Sequence, residues 1–319
     1  MDVTLSTQDI NLIRKQMLRA ISSNRAPGFQ LAGYFLGFKN KRFKTDGVEF
    51  ALEATPRSVD AHGNFSRVAV LYAADMTLAA SNRVFLDPNV RTATLMLRVE
   101  FTGEPACGLL ELSARGSGFS PRTALPESVC AGHVMSEGRE VLRMSGTWVS
   151  PPAPKGMVMH GLPWEGGQDG NNLPLLNARD LDAAEKATLR RVTRACRDAQ
   201  HGDLLTVLCN PGVKRTKTGA VGKLPVGMHI GNRVGHVQGG FLINAALVTA
   251  EAAVPEHQLT TGASAWYISP GQGKAISLRS TVLQSGRNIA VVRTELFNAE
   301  RKRVLEVVSN HAAAGIRAE

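Results

Sequence analysis

NRVGHVQGGFLINAALVTAEAA, residues 232–253, sets two adjacent glycines, Gly239 and Gly240, at the start of a helix-like run with almost no polar residues. Backbone N–H groups at a helix start have no intrahelical acceptor and favour negative charge. Glycine leaves them open to close approach. The run from Phe241 to Ala250 nevertheless carries no carboxylate, histidine or cysteine that could attack a bound group. If the glycines hold an electrophile, the reagent must come from elsewhere in the chain.

The totals bound where to look. A chain of 319 residues, 43% hydrophobic and 20% charged, can bury two ordinary cores. The N-terminus reads as an amphipathic helix rather than a signal peptide, and no apolar stretch is long enough to span a bilayer. Cys107, Cys130, Cys196 and Cys209 lack metal or disulfide-ladder spacing. Reduced thiols and a cytoplasmic location are the expectation, with no metal and no cofactor. The net charge of +10 suggests an anionic partner. With aromatics at 5% and Lys/Arg dispersed, nucleic acid is not the partner expected.

Ser6 and Asp9 have capping-box spacing ahead of a helix over 6–24. Strand-like segments follow from Leu31 to Pro56, then a second helix over 66–81, SRVAVLYAADMTLAAS, apolar on nearly every face. TATLMLRVEF, CGLLELSARG, ESVCAGHVMS and REVLRMSGTWV read as antiparallel strands. A Pro/Gly-rich linker over 151–176 leads to a helix opened by Asn177 or Asp180, with Leu181, Ala184, Leu189, Val192 and Cys196 on one face. The order then repeats: a strand region over 204–226, a buried helix over 238–253 and four strands. An offset of 172 lays Gly235 on Gly63, Asn232 on Asp60, Ala245 on Ala73 and Thr249 on Thr77. Duplication of one unit is the economical reading, and a doubled unit pairs about a pseudo-two-fold.

The same offset sets Leu247 opposite Asp75, the one charged residue in VAVLYAADMTLAA. A buried carboxylate is costly unless partnered, and burial raises its pKa. Asp75 is therefore either a site residue or a structural acid bonded to a turn. The glycines show the opposite asymmetry, because Gln238-Gly239-Gly240 stands where the first half has Ser66-Arg67-Val68. One half holds the acid and the other holds the glycines.

This pattern resembles the PaaI-like hotdog-fold acyl-CoA thioesterases in tandem, double-hotdog form. In that family an Asn precedes a His-Gly-Gly that opens the central helix, with an acid two turns further on. Asn232 stands six residues before Gln238, Gln238-Gly239-Gly240 replaces His-Gly-Gly, and the acid position is Leu247 here but Asp75 in the other half. The family also has a hydroxyl residue seven before a Tyr-x-x-Pro, as Thr260 stands before Tyr267 and Pro270; the first half offers Thr94 before Phe101.

The resemblance implies an α+β fold of two hotdog units, 1–150 and 177–319. Each would wrap an antiparallel sheet around a long buried helix, and the two would pair as a pseudo-dimer, with room for a homo-oligomer of the tandem unit. It implies an acyl-CoA substrate and one composite site. Gly239 would hold the carbonyl oxygen, Asn232 would hold the carbonyl or a water, and Asp75 would act as general base or nucleophile. Thr94 would orient the carboxylate or the water, and Gln238, Gly240 and His236 would contact substrate. The second site, Leu247 with Arg67 and Val68, would be dead or converted to packing or binding. The basic stretches 39–44 and 214–217 read either as solvated hairpins or as receivers of CoA phosphates. Two other functions fit the same fold: a non-catalytic acyl-CoA-binding protein, or an acyl-CoA hydratase or dehydratase, which would want a histidine beside Asp75. His62, His133 and His160 have no metal-ligand spacing, and neither a GxSxG elbow nor a P-loop is present.

Overall fold

The computed structural model describes residues 5–315 apart from 27, 29, 122–123, 163–172 and 200–202. Residues 163–172 of the expected linker thus lie outside the described residues. Helix α1 (Thr7–Arg25) starts on Ser6 with the capping box to Asp9 closed in both directions. The apolar run Leu31–Leu36, expected as strand, is instead a short helix, α2, ended by Gly37 in the left-handed region. Strands β1 (Lys39–Lys44) and β2 (Gly47–Glu53) follow, then α3 (Arg67–Arg83) and β3 (Ala93–Phe101), β4 (Leu109–Gly116), β5 (Glu127–Ser136) and β6 (Arg139–Val149).

Helix α4 (Ala183–Asp198) opens on Asp182, five residues after Asn177 and two after Asp180, because Asp182 and Glu185 close a second capping box. Its buried face includes Glu185, Leu189, Val192 and Cys196, while Ala184 faces solvent. Glu185 also receives a two-pronged contact from Arg25, tying α4 to α1. Residues Leu204–Leu208 repeat the earlier correction: an apolar run short enough for a strand forms helix α5, capped by Asp203. Then come β7 (Lys214–Arg215), β8 (Gly219–Pro225), α6 (Gly239–Glu251), β9 (Gln258–Tyr267), β10 (Ala275–Ser285), β11 (Ile289–Phe297) and β12 (Arg303–Ala313).

All twelve strands join one antiparallel sheet in the order β1-β2-β4-β5-β6-β3-β9-β12-β11-β10-β8-β7. Adding six to each strand number of the first half, read outward from the centre, gives the second. The halves meet where β3 pairs β9, from Met96↔Trp266 to Glu100↔Gly262. Helices α3 and α6 pack against each other with their neighbouring strands around them. Every residue from Val68 to Leu78 and from Gly240 to Leu247 is buried. Polar side chains survive there by bonding back along the helix. Thr77 donates to the Ala73 carbonyl and its counterpart Thr249 to Ala245, each at 2.8 Å.

The 172-residue offset also holds atom by atom ahead of each helix. Asp60 Oδ1 accepts from the N–H groups of His62 and Asn64; Asn232 Oδ1 accepts from those of Val234 and His236. Gly63 and Gly235 both take positive φ, +80° and +77°. Val59 bridges Phe65 as Gly231 bridges Val237. The two helices approach so closely that a Cβ on Gly240 would lie 2.5 Å from the Leu71 carbonyl oxygen and 2.7 Å from Tyr72 Cα. Backbone cannot yield as a side chain does. Gly240→Ala is therefore expected to lower stability by about 1–3 kcal/mol in urea titration; an unchanged midpoint would mean the helices can part.

Candidate active site

Asp75 lies mid-way along α3, 4% exposed. Its Oδ2 accepts from Gln238 Nε2 at 2.6 Å, and its Oδ1 is 3.4 Å from the Thr94 hydroxyl. A Cβ on Gly239 would sit 3.0 Å from both carboxylate oxygens. Five of the residues named from sequence thus come together: Asp75 and Thr94 from one half, Gln238, Gly239 and Gly240 from the other. Burial raises the Asp75 carboxyl to about 7, although the Thr94 hydroxyl and the Gly240 N–H both favour its ionised form.

Gln238 serves both helices. Its Oε1 accepts from the Phe241 N–H, capping α6, while its Nε2 holds Asp75. Only a side chain with an acceptor and a donor at its tip can do both, and the amide does so without charge. The N–H of Gly239 opens α6, where no intrahelical acceptor exists. Thr94 adjoins a β-bulge in β3, between Thr94 and Met96, that leaves Leu95 partly exposed. Bulges beside sites commonly re-aim one side chain in this way.

Asn232 and His236 line the same cleft, of about 350 Å³, without touching Asp75. The Asn232 oxygen is committed to the loop, accepting from the N–H groups of Val234 and His236. His236 is half-buried rather than on an exposed loop. Its imidazole is held below its ordinary pKa by burial and by neighbouring Arg91. The stretches 39–44 and 214–217 do not line the cleft; they form β1 and β7 at the sheet's outer edges, where Lys39 pairs with Glu53 and Arg42 with Asp46. They are solvated hairpins.

Sequence reasoning missed two features. Tyr267, quoted only as part of a motif, donates its hydroxyl to the Gly239 carbonyl at 3.0 Å and so pins the glycine turn. Burial, then the Asp75 charge, raises its pKa. Arg83, Arg91 and Arg233 also line the cleft, and dispersed arginines left no local signal.

The counterpart site is filled. Arg67, at the position of Gly239, reaches Glu251 with both terminal nitrogens and Asn244 with Nε. Thr260 donates to the same Glu251. Leu247, at the position of Asp75, is fully buried. Although burial alone would raise it, the Glu251 carboxyl lies below its ordinary value because Arg67 and Thr260 outweigh burial.

The first comparison concerns the second half of the chain. Residues 230–312 match the family model described as the acyl-CoA thioesterase N-terminal domain. That match spans 83 of the 319 residues, so it is this part of the chain that is similar to the acyl-CoA thioesterase family. A comparison with curated proteins gives no match. The fold is similar to that of a protein described as an oleoyl thioesterase from Lactobacillus plantarum, with a TM-score of 0.54 at 11% identity over 85% of this chain and 98% of that one. It is also similar to the 12:0-ACP thioesterase of Umbellularia californica, with a TM-score of 0.52 at 12% identity over 84% and 94%. The tesB protein of Mycobacterium avium subspecies paratuberculosis gives 0.50 at 11% identity over 87% and 96%. At such identities the likeness is one of fold, and each covers both halves of this chain.

Two outcomes follow for stability. Arg67→Ala leaves Glu251 without its partner; a loss of about 1–2 kcal/mol is expected, reduced by the pair's partial exposure. Urea titration should show part of it recovered in the Arg67→Ala/Glu251→Ala double variant. For Asp75 the folded pKa is raised, so its contribution is fully present below the ordinary carboxylate value and lost as pH rises through about 7. The melting temperature of wild type relative to Asp75→Asn should therefore fall between pH ~4 and ~7; parallel profiles would contradict a raised pKa.

Proposed function

We propose that the chain is an acyl-CoA thioesterase built as a pseudo-dimer of two hotdog units, residues 1–150 and 177–319 joined by 151–176, with a single working site shared between them. The observation that carries this reading is the Asp75 carboxylate of α3 set within van der Waals reach of Gly239 at the start of α6. The acid and the open N–H come from different halves, as hydrolysis at one shared centre requires.

The thioester carbonyl oxygen points at the Gly239 N–H, where the helix start stabilises the charge that develops on it. Asp75 takes a proton from water as the water oxygen attacks the carbonyl carbon. The tetrahedral intermediate collapses with cleavage of the C–S bond, and the proton held on Asp75 passes to the departing thiolate. Acid and free CoA thiol are the products. Gln238 and Thr94 hold the carboxylate, and Tyr267 holds the glycine turn. Asn232 shapes the loop and offers its NH2 to the substrate. Gln238 facing Asp75 supports hydrolysis over hydratase chemistry, since an amide cannot act as the second acid–base group.

A carboxyl near 7 gives a direct test. Thiol release from a panel of acyl-CoAs should show kcat/KM rising with pH to a plateau above about 7, because the ionised form is the base. Asp75→Asn should lower kcat by roughly 10²- to 10⁴-fold. Equal, slow release by wild type and variant, with acyl-CoA still bound, would instead identify a binding protein.

A further inference from the structure

The two halves differ by more than their site residues. The helix offset is 172, but Thr94 and Thr260 are related by 166, as are the ends of the central ladder, Met96 with Gly262 and Glu100 with Trp266. The first half therefore carries six extra residues between its buried helix and its next strand. Part of the addition extends α3: α6 ends at Glu251, the counterpart of Ala79, whereas α3 continues to Arg83. The rest lengthens the loop that carries Val90 and Arg91.

That addition forms one end of the cleft. Asp75, Ala79 and Arg83 recur every four residues and so share a helix face, with Arg83 about 12 Å from Asp75 at 1.5 Å per residue. The wall alongside is apolar, contributed by Met76, Ala80, Trp148 and Leu162. Arg83 donates to the carbonyls of Val90 and Pro88, and Arg233 from the second half donates to Val90 and His160. The added loop is thus clasped from both sides. Arg91, which it delivers, is half-buried and meets no acceptor among the described residues. Burial disfavours its charge. Gln30 also lines the cleft, 8% exposed with its Oε1 unpartnered; its amide presents either oxygen or, turned over, NH2. Asp75 is the only acid among the described residues lining the cleft.

A cleft that holds Asp75, has an apolar stretch of wall beside it and is lined at the loop end by a half-buried guanidinium fits a chain that is alkyl in the middle and negative at its tip. We propose that this end of the cleft recognises an anionic group at the far terminus of the acyl chain, an ω-carboxylate received by Arg91, so that the preferred substrates are thioesters of dicarboxylic acids. The proposal rests on the thioesterase reading above. The CoA phosphates are the other source of negative charge. The amide-rich pantetheine arm that leads to them would find few polar partners along this wall, whereas a methylene chain finds a matching surface.

The test compares adipoyl-, suberoyl- and sebacoyl-CoA with hexanoyl-, octanoyl- and decanoyl-CoA. Wild type should favour the ω-carboxyl member of at least one length-matched pair by roughly ten- to hundredfold in kcat/KM, the scale of a charge-assisted hydrogen bond. Arg91→Met should collapse that ratio towards one, and Arg91→Lys should restore part of it. The same ratio should persist in N-acetylcysteamine thioesters, which lack the CoA phosphates. No preference in wild type overturns the proposal. So does an Arg91→Met loss that is equal for both series and vanishes in the truncated thioesters, since Arg91 would then serve CoA. If no thioester is hydrolysed, the catalytic reading fails separately. Calorimetry with ω-carboxyalkyl-CoA and alkyl-CoA thioethers then decides the recognition: tighter binding of the ω-carboxyl ligand upholds it, equal binding overturns it.

Discussion

The contact on which the rest of the molecule depends is the passage of α6 over α3 at Gly240, where one backbone lies directly on the other. A side chain there would separate the helices and, with them, the two halves of the sheet joined at β3 and β9. The same contact brings the glycine turn of one half to the acid of the other. Both helices are wrapped on nearly all sides, so their polar residues must find partners inside. Thr77, Ser81, Asn82 and Thr249 use carbonyls of their own helix. Asp75 has no such recourse, because a carboxylate cannot donate to a carbonyl. It takes its donors from Gln238 and Thr94 instead.

If the two halves are read as one unit repeated, the two corresponding places are put to different uses. At one, small residues leave room and a lone acid sits in low dielectric with neutral partners. At the other, Arg67 occupies the space that Gly239 leaves open, and the acid has moved one turn along the helix, to Glu251, where it meets that arginine. An ion pair in which Thr260 donates to the carboxylate and Asn244 accepts from the guanidinium stabilises; it offers no reagent. The first arrangement stores a perturbed group and the second neutralises one. That difference lies in a few side chains on a shared backbone geometry.

Much of this is legible in the amino-acid sequence. Apolar periodicity located both buried helices and eight long strands, because burial on every face and alternation leave strong patterns. The offset of 172 survived to the level of single hydrogen bonds in the loops at Asp60 and Asn232. LAGYFL and LLTVL were misread as strand because a run of five or six apolar residues has no period to distinguish the alternatives. Asn177, Asp180 and Asp182 are all acceptable caps within six residues, and it is Asp182 that closes a box with Glu185 and opens the helix. At the site, Asp75, Thr94, Asn232 and Gln238–Gly240 carry a recognisable pattern, whereas Arg83, Arg91 and Arg233 have no local mark. The arginines at the end of the cleft are gathered by a loop insertion whose length shows only as a mismatch between 172 and 166.

The glutamine at the start of α6 bears on why the acid is poised rather than merely buried. A charged imidazolium at position 238 would favour the ionised carboxylate and draw its pKa down towards the ordinary range. An apolar residue would leave the helix start uncapped and the carboxylate with one donor fewer. The amide avoids both: its oxygen closes the helix, its NH2 fixes one carboxylate oxygen, and it adds no net charge. Desolvation is then left to set the pKa, near 7, where a base is both substantially ionised and strong enough to take a proton from water. The same neutrality makes the cleft's electrostatics asymmetric. The acid end is close to uncharged when Asp75 is protonated, while the far end keeps its guanidinium groups at every working pH. On the proposed reading, an acyl chain with its negative charge at the tip would therefore enter with that tip toward the guanidinium groups and its neutral thioester carbonyl toward the acid.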